Sequence, residues 1–465
     1  MSKPILAIDI GSTNVSAVVA EIDGDDIQIV GYGVAKSYGV KKGIITNIEL
    51  AAKSIKKALA DARRIAGSNI SVATVSISNA YARSLNSTGV VNVPQKDIST
   101  KEINRLMETA LYNANIPNEY EVIHVLPYNF RVDDQNFIED PFGMNASRLE
   151  VDVNIIITQK SSLSNLKKTV RLAGVEIEGI VLNSYASSIS VLQDDEKELG
   201  VALIDLGGQT SSLIIHVGNS IRYNSFLPVG SNNITNDLSM ALHTPLQIAE
   251  NVKIRHGNLL NESNEIIELP VIGDEESRNS ISLEMVHNVI LARVEETLSI
   301  LANTIEKSAL EDQVGAGVVL TGGMSKLKGI RELAQAIFRN GPIRVGYPKS
   351  IPGLTEELDD PQFATVIGLL LYGNGKHAQY ELNNEKKMLH TKEDINETVL
   401  NDIRIDGSAT PGDSVNAQKG DITTNRSDNS LDYTEDDFTL DDLPKPDFEG
   451  GNLFSKISNW AKQLF

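Results

Sequence analysis

From the amino terminus to about residue 377, short apolar runs alternate with longer stretches in which apolar residues recur every three or four positions. Runs such as Val201 to Asp205 and Val318 to Leu320 read as buried strands, and Ile48 to Ile65 and Leu283 to Leu310 read as helices. The alternation predicts an α/β chain. Around residue 378 the pattern stops. From His377 to Glu449 polar and acidic residues dominate, with Asp432, Glu435, Asp436, Asp437, Asp441 and Asp442 in the most charged part, which is the composition of a disordered segment. A flexible coil of about 70 residues spans roughly 45 to 50 Å, so this stretch predicts a tether. After Gly450 and Gly451 the chain turns apolar again, as NLFSKISNWAKQLF.

Two of the apolar runs are copies of one pattern. ILAIDIGSTNVSAVVAEI, from residue 5, aligns without gaps on VALIDLGGQTSSLIIHV, from residue 201. Each is an apolar strand, Asp, an apolar residue, Gly, small or polar residues, then a second apolar strand. Two copies imply two halves built from one unit. The glycines let backbone N–H groups approach phosphate oxygens, and Ser12, Thr13, Asn14 and Thr210 add donors. Asp9 and Asp205 cannot face phosphate unaided, but each makes sense beside a magnesium ion, held through water. One such hairpin is as well explained by an ordinary tight turn; two aligned copies are not. A third piece, VVLTGGMSKLKGI at 318 to 330, sets Gly322 and Gly323 after a strand, where backbone can lie flat against a base or sugar. Neither GxxxxGK[ST] nor GxGxxG occurs, which argues against the common P-loop and dinucleotide folds.

Composition narrows the classes further. With 62 Asp plus Glu against 42 Lys plus Arg, a nucleic-acid surface is not expected. The chain has no cysteine, so disulfides and thiolate metal sites are excluded. Its seven histidines lack metal-ligand spacing. The first residues run straight into a strand pattern rather than a signal peptide, so the chain is expected inside the cell. No apolar stretch approaches the roughly 20 residues of a spanning helix, so membrane contact would be peripheral.

The doubled hairpin followed by an apolar-TGG step resembles the actin, Hsp70 and sugar-kinase superfamily of ATPases. Within it the chain resembles the bacterial cell-division family FtsA, through ISNAYARSLNSTGVV at 77 to 91, DPFGMNASRLEVDVNIIIT at 140 to 158, DEKELGVALIDLGG at 195 to 208 and AENVKIRHG at 249 to 257. The resemblance implies a two-lobed actin-like, duplicated ribonuclease H-like fold. The first lobe would comprise 1–84, 163–195 and 363–377, with a family-specific subdomain inserted at 85–162. The second lobe would comprise 196–362, with a smaller subdomain at about 227–302; an acidic linker would run over 378–449 and a membrane-targeting helix over 450–465.

ATP would lie between the lobes. Gly11, Ser12, Thr13 and Asn14, with Gly207, Gly208, Gln209 and Thr210, would hold its phosphates; Asp9 and Asp205 would hold magnesium. Gly322, Gly323 and Met324, with Glu250 and Lys253, would meet adenosine. The family further implies self-assembly into actin-like filaments, binding of the FtsZ C-terminal tail, contact with anionic lipids and later division proteins, and a place on the cytoplasmic side of the membrane at the division septum. Gln209 and Ser212 depart from the usual loop, and Asn183 and Ser184 stand where actin carries a water-activating residue. Lack of a competent base costs hydrolysis roughly 10² to 10⁴ in rate, so weak turnover is expected. A pilus-assembly ATPase and a superfamily small-molecule kinase are the alternatives; the kinase needs a catalytic acid or base, for which Asp237 is the candidate.

On a helix, Leu453, Phe454, Ile457, Trp460, Ala461, Leu464 and Phe465 share one arc of about 140°, and the remainder is polar. Lys456 and Lys462 flank that arc. This pattern suits the headgroup boundary of an anionic membrane, where each Lys adds about 1 kcal/mol.

Overall fold

A computed structural model describes residues 3–389 apart from Asp25, Lys96, Asn261, Glu262, Asn340 and Leu354. The repeat seen in the sequence is a repeat of topology. In the first half, strands Lys3–Ile10, Asn14–Asp23 and Asp26–Lys36 form an antiparallel meander, and Val72–Ile77 and Glu176–Leu182 join parallel to the first strand. In the second half, Val201–Leu206, Ser211–Val217 and Ser220–Leu227 form the same meander, and Val318–Thr321 and Ile343–Val345 join in the same order and sense. Register is preserved as well: Asp9 pairs with Ser16 and Asp205 with Ser212, each partner seven residues on. The fold class expected from the sequence, an actin-like two-lobed α/β chain, is the one observed.

Helices cover these sheets where the sequence calls for them. Ile48–Ala66 starts at Asn47, whose side chain accepts from Leu50 N–H, and ends at Gly67 in left-handed geometry. Its Ile55, Ala58, Leu59 and Ala62 face the first sheet. Two further helices, Asn183–Val191 and Ala364–Gly373, are buried along nearly their whole length and cross backbone against backbone. A Cβ on Gly368 would stand 1.8 Å from the Ala186 carbonyl oxygen, so only glycine permits that crossing. A helix buried on every side needs no polar face, which explains the unbroken apolar run VIGLLLY within Ala364–Gly373.

The inserted subdomain is a separate core. Strands Ala82–Asn92, Arg148–Gln159, Tyr120–Val132 and Gln135–Ile138 lie in that order, all antiparallel, under helix Thr100–Asn113. Its sheet starts and ends three residues earlier than the 85–162 read from sequence. The second half carries helices Ser231–Ala241, Leu246–His256 and Leu283–Lys307 and the hairpin Ile266–Val271 with Asp274–Ser282.

One expectation needs correction. The polar composition places the start of a disordered linker at 378, yet residues 378 to 389 pack against the folded core. Tyr380 and Leu382 are fully buried, and Leu382 exchanges both backbone hydrogen bonds with Val125. The few apolar residues here, diluted by polar neighbours, carry too weak a pattern to register as structure.

Candidate functional site

The two Asp-Gly hairpins come together at the floor of a cleft of about 740 Å³. Asp9, Gly11, Ser12, Thr13 and Asn14 form one wall, and Asp205, Gly207, Gly208 and Thr210 the other. The loops nearly touch: a Cβ on Gly208 would lie 1.8 Å from Thr13 Oγ1. The second loop is docked on the start of helix Ser231–Ala241, with Ser231 and Asn232 N–H groups donating to the Gly207 and Gly208 carbonyls at 3.0 and 2.7 Å.

Each carboxylate is held by hydroxyls from elsewhere in the fold. Ser76 Oγ donates to Asp9 Oδ1 at 2.8 Å, and Ser187 Oγ, on helix Asn183–Val191, donates to Asp205 Oδ2 at 2.8 Å. Thr365 reaches the same Asp205 oxygen at 3.4 Å. Burial pushes Asp9 up to about 6; the Ser76 hydroxyl pulls it back and the charge of Asp205 adds to the rise. Asp205 is raised by the same desolvation, opposed by its two hydroxyl partners. Two half-buried acids on the floor of the cleft, with hydroxyl oxygens around them, fit a hard divalent cation. Among the described residues no group of three or more acids or histidines is placed to hold a metal ion, so magnesium here would depend on the ligand's own oxygens.

Beside Asp205, Gly322 turns the chain with φ of 84°; a Cβ there would meet Asp205 Oδ1 at 2.3 Å. Gly323 and Met324 continue the wall. Lys253, 9 % exposed, donates to Glu250 Oε2 at 2.7 Å and to Thr235 Oγ1 at 2.9 Å, so Glu250 and Lys253 form a fixed pair on the cleft side.

Gln209 differs from expectation. The sequence puts it beside the phosphates, but its side chain is not part of the cleft wall; its side-chain Oε1 accepts the Lys42 N–H from the first half at 2.8 Å. Asp237 is engaged by Arg293 at 2.6 and 3.2 Å and does not line the cleft, which removes the kinase candidate. Asn183 lines the cleft, with its Oδ1 accepting from Ser184 N–H. The acids' supports, Ser76, Ser187 and Thr365, are absent from the sequence reading. Their one signal is a hydroxyl inside an otherwise apolar run, as in VATVSI. The residues expected to meet a membrane, Leu453, Phe454, Lys456, Ile457, Trp460, Ala461, Lys462, Leu464 and Phe465, lie outside the described residues.

Known families match on both parts of this architecture. The model "Cell division protein FtsA" matches residues 202–368, and "SHS2 domain inserted in FTSA" matches 79–157, the inserted sheet. The FtsA of Helicobacter pylori is 39% identical over 409 residues, spanning 81% of this chain and 83% of that one. The chain belongs to the FtsA family of cell division proteins. The Pseudomonas aeruginosa FtsA is 38% identical over 380 residues, covering 81% of this chain and 90% of its own. Among solved structures, a PilM-PilN type IV pilus biogenesis complex overlays with TM-score 0.58 at 16% identity, covering 80% of this chain and 98% of that one. MreB5 of Spiroplasma citri bound to ADP gives 0.50 at 14%, over 80% and 96%. At such identities these two establish the actin-like fold alone.

Proposed function

We propose that the cleft binds ATP with magnesium, and that the loaded chain assembles into actin-like filaments which tether FtsZ, by its C-terminal tail, to the cytoplasmic face of the membrane at the division septum. The observation that carries the nucleotide reading is the pair of Asp-Gly hairpins, in one register, facing each other across a single cleft. The family supports the division role, and the solved ADP-bound MreB5 supports a nucleotide in this fold.

Each group at the cleft has a task under this reading. Backbone N–H groups at Gly11 to Asn14 and Gly207 to Thr210 cradle phosphates from two sides, while Asp9 and Asp205, steadied by Ser76 and Ser187, hold the cation's water shell. Bound magnesium neutralises phosphate charge. Gly322, Gly323 and Met324 line the part of the cleft left to adenosine, and the Lys253–Glu250 pair borders it. Asn183 carries an amide that cannot take a proton from water, which supports weak hydrolysis and a mainly structural nucleotide.

Membrane attachment rests on the terminal pattern. Among the described residues no helix is long and apolar enough to cross a membrane. One short amphipathic helix anchors weakly, but a filament carrying many would hold firmly, so assembly and attachment are linked. Co-sedimentation with anionic vesicles, with and without Mg-ATP and FtsZ tail peptide, tests the whole reading. Pelleting that requires vesicles and grows with Mg-ATP is expected; failure of the chain to bind a fluorescent ATP analogue would overturn it.

A further inference from the structure

Two consecutive backbone N–H groups at the tip of a small hairpin reach both copies of the Asp-Gly loop at once. The hairpin pairs Val40–Lys41 with Ile44–Ile45, and Lys42 and Gly43 turn it with φ of 47° and 78°. Lys42 N–H donates to Gln209 Oε1 in the second half at 2.8 Å, and Gly43 N–H donates to Ser12 Oγ in the first at 2.8 Å. The root of the hairpin is firm. Ser37 N–H donates to the Thr13 carbonyl at 2.8 Å, and Thr46 and Asn47 N–H groups close on the Gly39 carbonyl at 2.8 and 3.0 Å. Gly43 lines the cleft, and Lys41 and Lys42 are exposed. The tip is therefore a first-half element that leans over the phosphate end and is pinned to the second half through a side-chain amide.

We propose that residues 41 to 43 form a gate across the phosphate end of the cleft, latched by Gln209, and that its opening sets the rates at which nucleotide enters and leaves. This rests on the nucleotide reading of the cleft. It makes the Gln209 side chain a positioning group rather than a phosphate ligand. The distinction is kinetic. A gate must open for traffic in both directions, so a weaker latch raises association and dissociation together; a lost phosphate contact raises dissociation alone.

The test uses the full chain and Gln209→Ala. In stopped-flow mixing with a fluorescent ATP analogue and magnesium, both rate constants are expected to rise about three- to tenfold, the range set by one ordinary hydrogen bond. Dissociation rising alone, or neither rate moving, overturns the gate. A second arm contains no nucleotide: trypsin cleavage after Lys41 and Lys42, followed by mass spectrometry. Gln209→Ala is expected to be cut there at least about threefold faster, with cleavage elsewhere unchanged, since a released tip samples open conformations more often. Equal cleavage overturns the latch whatever the cleft binds. Failure of the unaltered chain to bind the analogue overturns the underlying nucleotide reading, and registers in the first arm alone.

Discussion

Gly208 has room for a hydrogen atom but not for a methyl group. With Thr13 Oγ1 1.8 Å and Thr13 Cβ 2.9 Å from the position of a Cβ, Gly208→Ala must turn the Thr13 side chain away or push the two loops apart. Overpacking of this kind costs about 1 to 3 kcal/mol, and because the strain falls on the loops it should appear as at least about a fivefold weaker affinity for a fluorescent ATP analogue. Unchanged affinity in a binding titration would refute the facing-loop geometry. His216 is a second residue with a measurable signature. It is 4 % exposed, neither ring nitrogen has a protein partner, and burial, with Lys197 nearby, lowers it to about 3. Unfolded, it takes a proton near 6.5; folded, it does not. Acidification below about 6.5 therefore protonates the unfolded chain alone, and this residue's share of stability is lost progressively down to about 3, at up to about 1.4 kcal/mol per pH unit. His216→Leu should flatten the fall measured by urea denaturation between pH 7 and pH 5. Identical slopes would show that the residue is not buried as described.

At the scale of elements, the segment 378 to 389 acts as a strap. Its Glu381, fully buried, accepts from His124 Nδ1 at 2.6 Å on strand Tyr120–Val132, from the Tyr185 hydroxyl at 2.9 Å on helix Asn183–Val191, and from the Tyr372 hydroxyl at 2.8 Å on helix Ala364–Gly373. His124 Nε2 in turn accepts the Leu182 N–H. One carboxylate thus ties the inserted subdomain to both crossing helices. Tyr380 extends the strap by donating to Asp140 at 2.8 Å. Glu381→Ala would leave three buried donors unpaired, at about 1 to 3 kcal/mol each. A loss of at least about 3 kcal/mol in chemical denaturation is expected, with faster hydrogen exchange in Tyr120–Val132. A loss under about 1 kcal/mol would mean the cluster is dispensable.

At the scale of the whole molecule, the cleft and the carboxy-terminal segment are expected to act separately. Deleting residues 452–465, or making Trp460→Glu, should leave binding of the ATP analogue unchanged and abolish sedimentation with anionic vesicles. Trp460, the sole tryptophan, offers a direct readout: its emission should move to the blue on mixing with such vesicles. An unmoved spectrum would count against insertion. Loss of nucleotide binding on deletion would instead join the tail to the cleft.

What the sequence determined by itself was whatever local chemistry and repetition can encode. The alternation of apolar runs, the doubled Asp-Gly hairpin and the TGG step carried the α/β class, the two halves and the residues from Asp9 to Asn14 and from Asp205 to Thr210, because glycine, carboxylate and strand period act over a few neighbours. Tertiary structure alone decided which distant groups support them. Ser76 lies 67 positions from Asp9 and Thr365 160 positions from Asp205, and no local pattern links such pairs. The same holds for Glu381, whose partner His124 is 257 residues away. Its polar segment reads as linker until burial shows that every donor around it is matched, and Gln209 reads as a phosphate ligand until Lys42 is seen to claim its oxygen.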